Sequence, residues 1–241
     1  MKKIAPHLYL IGSGFSNVWL FQNPADGKKI LIDTGHSLER LPLLASLWKL
    51  GVRMPGDLSA ILLTHRHSDH AGNAAWMRKQ FGAPVFCHEQ DAKFLRGERL
   101  APPLQRGTAP FVKNWLCGVE DRRPAFVDVD DVFTDGLWKY GLRITSVPGH
   151  TDGSVMIHHE PTATLFSGDS ILVGSPFNRK AKKLRMADPH FSDEPETAQR
   201  SIRRYLQNLP PTEILCSGHG PVVDEQTFMK LKKLLNEEKA I

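Results

Sequence analysis

The sequence predicts an α/β protein of two related halves, with sheet packed on sheet and helices outside. Three observations carry this. Short apolar runs with strand character alternate with segments of helical apolar spacing. A similar order recurs in the second half, after an irregular stretch. Several apolar runs stop at a glycine beside a histidine or an aspartate, which is how a site at strand ends is written.

In chain order, HLYLIG, NVWLFQN and KKILIDTG read as strands. The turn formers NPADGKK make the last two a hairpin. Leu38 to Leu50 has helical spacing, with Pro42 in or near its first turn. SAILLT is a short buried strand. Ser68 to Phe81 reads as one helix capped by Ser68 or Asp69, and APVFCH as the next strand. From about Phe94 to Arg123 the chain is rich in Pro, Gly and Arg, which suggests an insertion or lid. AFVDV, DVFTD, LRITSVP, SVMIHHE and ATLFSGD then read as strands. The stretch from Gly174 to Pro195 reads as a basic loop, Pro195 to Leu209 as an amphipathic helix, EILCSG as a last strand and Glu225 to Lys239 as a closing helix. Residues 1–241 are expected to form a single domain.

Composition narrows the class. No run approaches the roughly 18 apolar residues that span a bilayer. The basic start MKK mimics a leader, but Pro6 and His7 break the apolar run behind it, so it reads as folded protein. Three scattered cysteines without a CxxC are not a disulfide framework, and a reducing cytoplasm is expected. The net charge of +5 allows an anionic small molecule.

The densest feature is THRHSDHAG, Thr64 to Gly72. A metal site needs several N, O or S donors converging on one ion. Residues i and i+2 of an extended segment share a side, so His65 and His67 can face one point past a strand end. Asp69 and His70 follow as the chain turns into a helix and can face a neighbouring point. The remaining donors must come from elsewhere. His150 in VPGHTDGS, Asp169 in LFSGDS and His219 in CSGHGP each follow an apolar strand and a glycine, and Asp33 in LIDTG has a similar setting. His7, His36, His88, His158, His159 and His190 lack this context and read as structural.

HRHSDH, PGHTDGS, SGD and SGHGP, in this order, resemble the metallo-β-lactamase superfamily from about Leu8 to Val223. The resemblance implies a four-layer αββα sandwich with two divalent metal ions. It places His65, His67 and His150 on one ion and Asp69, His70 and His219 on the other. Asp169 would bridge them, and Asp33 would support the ligands from behind. Histidine and carboxylate donors suit Zn first, and also Fe or Mn.

Such a pair of ions activates a shared water for hydrolysis, with Asp69 orienting the nucleophile as the catalytic carboxylate. PGHTDGS is similar to the form in glyoxalase II-type thioesterases and lactonases, which implies cleavage of a small-molecule thioester, ester or lactone. Glu225 to Ile241 is too short for the helical domain of glyoxalase II, and no tyrosine follows Asp169 between Gly174 and Pro195, as the lactonases would have. The run FNRKAKKLR makes Arg179 and Lys180 candidate contacts to an anionic substrate. It is too short, and too poor in aromatics, for a nucleic-acid groove. The alternatives are a phosphodiesterase or nuclease on the same site, or a mononuclear-iron persulfide dioxygenase.

Overall fold

The apolar alternation of the first third becomes the antiparallel part of a sheet. Strand β2 (Leu8–Ser13) pairs with β3 (Asn17–Gln22), and β3 with β4 (Lys29–Ile32), Trp19 opposite Ile32. The hairpin expected at NPADGKK is therefore present. In this computed structural model the described residues are 1–104, 115, 120, 124–174, 184–224, 226, 228 and 229. The chain divides into two compact units, Met1–Pro102 with Gly118–Phe133, and Pro103–Cys117 with Thr134–Ile241.

In the first unit seven strands lie in chain order, β1 (Lys2–Ala5) through β4 and then β5 (Ala60–Leu62), β6 (Val85–His88) and β7 (Asp131–Phe133). The pairs β4/β5, β5/β6 and β6/β7 are parallel. Helix α1 (Arg40–Lys49) links β4 to β5. Helices α2 (Ser68–Ala71) and α3 (Ala74–Phe81) link β5 to β6, and α4 (Glu89–Leu95) follows β6. Crossovers that always step the same way keep one hand, so the helices gather on one face. Val18, Leu20, Leu31, Ile61 and Val85 from the strands meet Leu43, Leu47, Met77 and Phe81 from the helices in one core. The alternate residues Trp19, Phe21, Ile30, Ile32 and Leu62 are buried as well, so β3 to β5 read as continuous apolar runs.

The second unit holds a six-stranded sheet in the order β15-β14-β11-β10-β9-β8: β8 (Gly136–Leu137), β9 (Leu142–Ser146), β10 (Val155–His159), β11 (Thr164–Gly168), β14 (Ile214–Ser217) and β15 (Val223–Asp224). Strand β10 is antiparallel to both β9 and β11, and β11 is parallel to β14. Strands β9, β11 and β14 therefore point the same way. Helix α5 (Pro195–Gln207) starts with proline in its first turn and buries Ala198, Ile202, Tyr205 and Leu206 against Val147, Met156, Leu165 and Leu215. Gly149 permits this contact. It sits at φ +123°, and a Cβ there would lie 2.0 Å from the Ala198 nitrogen.

Several expectations are corrected. Ser68 to Phe81 is two helices, because Gly72 and Asn73 interrupt it; the Asn73 amide turns instead to the carbonyls of Thr34 and His36. The α2 cap is His67, with Ser68 and Asp69 already inside the first turn. AFVDV alternates as a strand does, Val127 and Val129 buried and Phe126 exposed, but no strand forms there. Its bonds to its neighbours are isolated ones, Val127 N to Leu95 O at 2.8 Å and Arg96 Nη2 to Val129 O at 2.9 Å. The expected loop 174–195 contains β13 (Leu184–Met186), paired with β12 (Ile171–Val173). Strand β1 and helix α4 were not expected. The cap of α4 is His88, outside the usual Ser/Thr/Asp/Asn set. Most of the closing helix 225–239, and most of the expected lid 94–123 beyond residue 104, lie outside the described residues.

Among the described residues no helix is long and apolar enough to cross a membrane. Phe81 is fully buried in the core of the first unit. Phe81→Ala is expected to lower stability by about 3–5 kcal/mol, read as a shifted midpoint of urea unfolding.

Candidate metal centre

The donors of the first unit hang from Asp33, the residue after β4. Its backbone turns left-handed at φ 59°, a conformation that aspartate tolerates better than most residues. Its amide donates to Leu62 O at 2.8 Å, which ties it to the end of β5. The carboxylate then faces the histidine segment. Oδ1 accepts from Thr64 N at 2.8 Å, and Oδ2 accepts from Thr64 Oγ1 at 2.8 Å. Oδ2 also lies 2.8 Å from His70 Nδ1.

These bonds settle which imidazole nitrogen carries the proton. A carboxylate only accepts, so His70 donates from Nδ1 and its Nε2 carries the lone pair. Thr64 has one hydroxyl proton, given to Asp33. Its oxygen, 3.1 Å from His65 Nδ1, therefore accepts from that nitrogen, and Nε2 of His65 carries the lone pair too. The ring of His67 stands 4.8 Å from that of His65, nearly perpendicular to it. His65 and His67 each present a ligand atom within 4.8 Å of the other. Asp69 Oδ2 lies 3.6 Å from His70 Nε2. Its carbonyl accepts the Ser16 hydroxyl, and the His70 carbonyl accepts from Thr34 N at 2.6 Å.

The donors of the second unit stand at the ends of its three co-directional strands. His150 follows β9, Asp169 follows β11 and His219 follows β14. Asp169 Oδ2 lies 3.2 Å from His219 Nε2 and 3.8 Å from His150 Nε2, so one carboxylate oxygen sits between two imidazoles. Ser192 Oγ donates to Asp188 O at 2.8 Å, and it accepts from His150 Nδ1 at 3.2 Å. His150 thus also directs its Nε2 lone pair inward. Gly218 N donates to Gly168 O at 2.7 Å, which joins the turns that carry His219 and Asp169.

The donor chemistry fits divalent metal ions. The donors are imidazole nitrogens and carboxylate oxygens, and three histidines are set by a bond at the opposite ring nitrogen, the usual outer support of a metal ligand. Of the expected site residues, the first unit brings together His65, His67, Asp69 and His70 over Asp33. The second unit brings together His150, Asp169 and His219. Arg179 and Lys180 lie outside the described residues. The other histidines have structural partners. His36 and His88 accept from Leu38 N and Gln90 N, and His158 Nε2 meets Pro211 O. His159 meets Thr162, His190 meets Asp188, and His7 packs edge-on against Phe21. Burial holds His158 below the usual histidine range.

Sequence reading missed Thr64, Ser192 and Glu120. Thr64 could have been found as the hydroxyl directly before the first histidine. Nothing local marks Ser192 or Glu120, which act from 42 and 52 residues away. Glu120 accepts from Ser68 N at 2.8 Å, and burial, helped by the charge of Asp69, pushes its carboxyl up to about 7.

The family model described as the metallo-beta-lactamase superfamily matches residues 11–219. A protein named probable metallo-hydrolase YybB, from Bacillus subtilis, is 32% identical over 68% of this chain and 66% of its own length. A hydroxyacylglutathione hydrolase of Bdellovibrio bacteriovorus is 26% identical over 89% of this chain and 67% of its own. The chain thus spans about two thirds of these two relatives. The solved structure of TTHA1623 in a di-iron-bound form superposes with a TM-score of 0.65 at 27% identity, covering 94% of this chain and 96% of that one.

Removing the Asp33 carboxylate strands the donors of Thr64 and His70. Asp33→Ala should cost about 2–4 kcal/mol in chemical unfolding, at ~1–3 kcal/mol for each buried donor left without an acceptor. Metal affinity should fall about 10–100-fold in a chelator competition.

Proposed function

The chain belongs to the metallo-β-lactamase superfamily, and from that premise we propose that it is a dinuclear metal-dependent hydrolase that cleaves a thioester, ester or lactone of a small molecule. The observation that carries this reading is the Asp169 oxygen set between the Nε2 atoms of His150 and His219. A carboxylate oxygen placed so is in reach of two ions held by those two histidines. His65, His67 and His150 are proposed for one ion and Asp69, His70 and His219 for the other, with Asp169 between them. This needs residues 1–241 to act as one domain. Zn is the proposed metal, and the same donors suit Fe and Mn.

When bound, two divalent ions polarise the carbonyl of the substrate and lower the pKa of a shared water towards neutrality. The chain's own residues do the rest. Asp33 and Ser192 keep His70 and His150 in the tautomer that presents Nε2. Asp69, its carboxylate partly exposed at the first turn of α2, accepts a hydrogen bond from the attacking water and aims it. Water adds to the carbonyl carbon, the bond to sulfur or oxygen breaks, and the leaving group takes up the proton.

The thioester end of this range draws support from the relatives named hydroxyacylglutathione hydrolase, since glutathione is acylated at sulfur. On charge alone, Arg179 and Lys180 are assigned to an anionic group of the substrate. Cys87 and Cys216 are buried free thiols, which suits a reducing compartment such as the cytoplasm.

The test is metal content per chain of protein purified without added metal, with turnover of a thioester, a lactone, a β-lactam and a phosphodiester. Two ions per chain with turnover of the thioester or lactone is the expected result. One iron with oxygen uptake and no hydrolysis would replace this reading by the dioxygenase, and phosphodiester turnover alone by a nuclease. Asp69→Ala is expected to lose most turnover; wild-type rates on every substrate would remove Asp69 from the mechanism.

A further inference from the structure

The segment Thr64–Asp69 alternates strictly. Positions 65, 67 and 69 carry the proposed ligands. The backbone amides of positions 64, 66 and 68 each donate to a side-chain carboxylate: Thr64 N to Asp33 Oδ1 at 2.8 Å, Arg66 N to Asp91 Oδ2 at 2.9 Å and Ser68 N to Glu120 Oε1 at 2.8 Å. The three acids come from three separate places in the same unit: the end of β4, helix α4 and the stretch Gly118–Phe133.

None of these bonds belongs to a sheet ladder or to a helix. The segment has left β5, and the first amides of α2 have no acceptor within the helix. His67, at the helix cap, makes no side-chain bond to it. Glu120 supplies what is missing and grips Ser68 twice, since its Oε2 also accepts the Ser68 hydroxyl. Asp91 is fully buried. Buried carboxylates cost free energy unless their bonds are made. Here two of them are placed on alternate amides of the one segment that carries three of the proposed ligands.

Arg66, between His65 and His67, sets its guanidinium 4.9 Å from the Phe94 ring.

We propose that Asp91 and Glu120 are positioning residues of the metal site: with Asp33 they form a rail of three carboxylates that holds the backbone of Thr64, Arg66 and Ser68, and so registers the ligands between them. The inference rests on the metal-site reading above and extends it to two residues outside the ligand motifs.

The test uses the full chain and Zn(II), with affinity from competition against a chromophoric chelator, and the visible spectrum of the Co(II)-loaded protein as a report on ligand geometry. Glu120→Ala and Asp91→Ala are each expected to weaken Zn(II) about 10–100-fold and to shift the Co(II) bands. Glu120→Gln keeps an oxygen for Ser68 N and should recover most of the affinity. If a truncation fails to fold, Ser68→Ala removes only the hydroxyl contact and should weaken Zn(II) several-fold. Variants that lose stability but bind Zn(II) like the wild type, with an unchanged Co(II) spectrum, would overturn the rail. A wild-type chain that takes up no metal would overturn the site reading itself, a different result from a wild-type chain that binds metal and variants that bind it equally.

Discussion

The Asp33 carboxylate is the point on which the first half of the site depends. It lies at the end of one strand, is tied by its amide to the next, and accepts bonds from Thr64 and His70. A carboxylate cannot donate, so each of its partners must, and that requirement passes along the network. It sets the tautomer of His70 directly and that of His65 through Thr64. Two rings are thereby aimed by the fold itself. This is preorganisation: the work of orienting the candidate ligands is done during folding.

The second unit meets the same requirement by other means. Its donors sit on the ends of three strands that run the same way, so topology gathers them. Close approach of backbone does the rest. Gly149 lets the start of α5 press against the turn before His150. Gly220, at φ +90°, would place a Cβ 1.6 Å from Val173 O, so the turn after His219 closes on β12 only because no side chain is there. Ser192 then does for His150 what Thr64 does for His65, with a carbonyl rather than a carboxylate as the final acceptor.

The strands and the ligand candidates were legible because their signals are local. Apolar alternation marked β2, β3 and β4, and donors next to glycine at the ends of apolar runs marked His150, Asp169 and His219. What escaped was decided at a distance. A single helix over Ser68–Phe81 was a fair reading of its spacing, but Asn73 finds better partners in the carbonyls of Thr34 and His36. Val127 and Val129 alternate correctly and still form no strand, since a ladder needs a neighbour and local pattern cannot supply one. Helix α4 was hidden by a histidine cap, which is an unusual but competent acceptor.

Taken alone, the sequence determined which side chains have the chemistry of metal ligands, and that His150, Asp169 and His219 follow strands, because residue chemistry and strand period are properties of short stretches of chain. Tertiary structure alone decided the protonated nitrogen of His65, His70 and His150, the place of the Asp169 oxygen between His150 and His219, and the partners of the amides between the candidate ligands. Those depend on atoms that meet within about 3 Å across tens of residues of chain, the range over which a hydrogen bond acts.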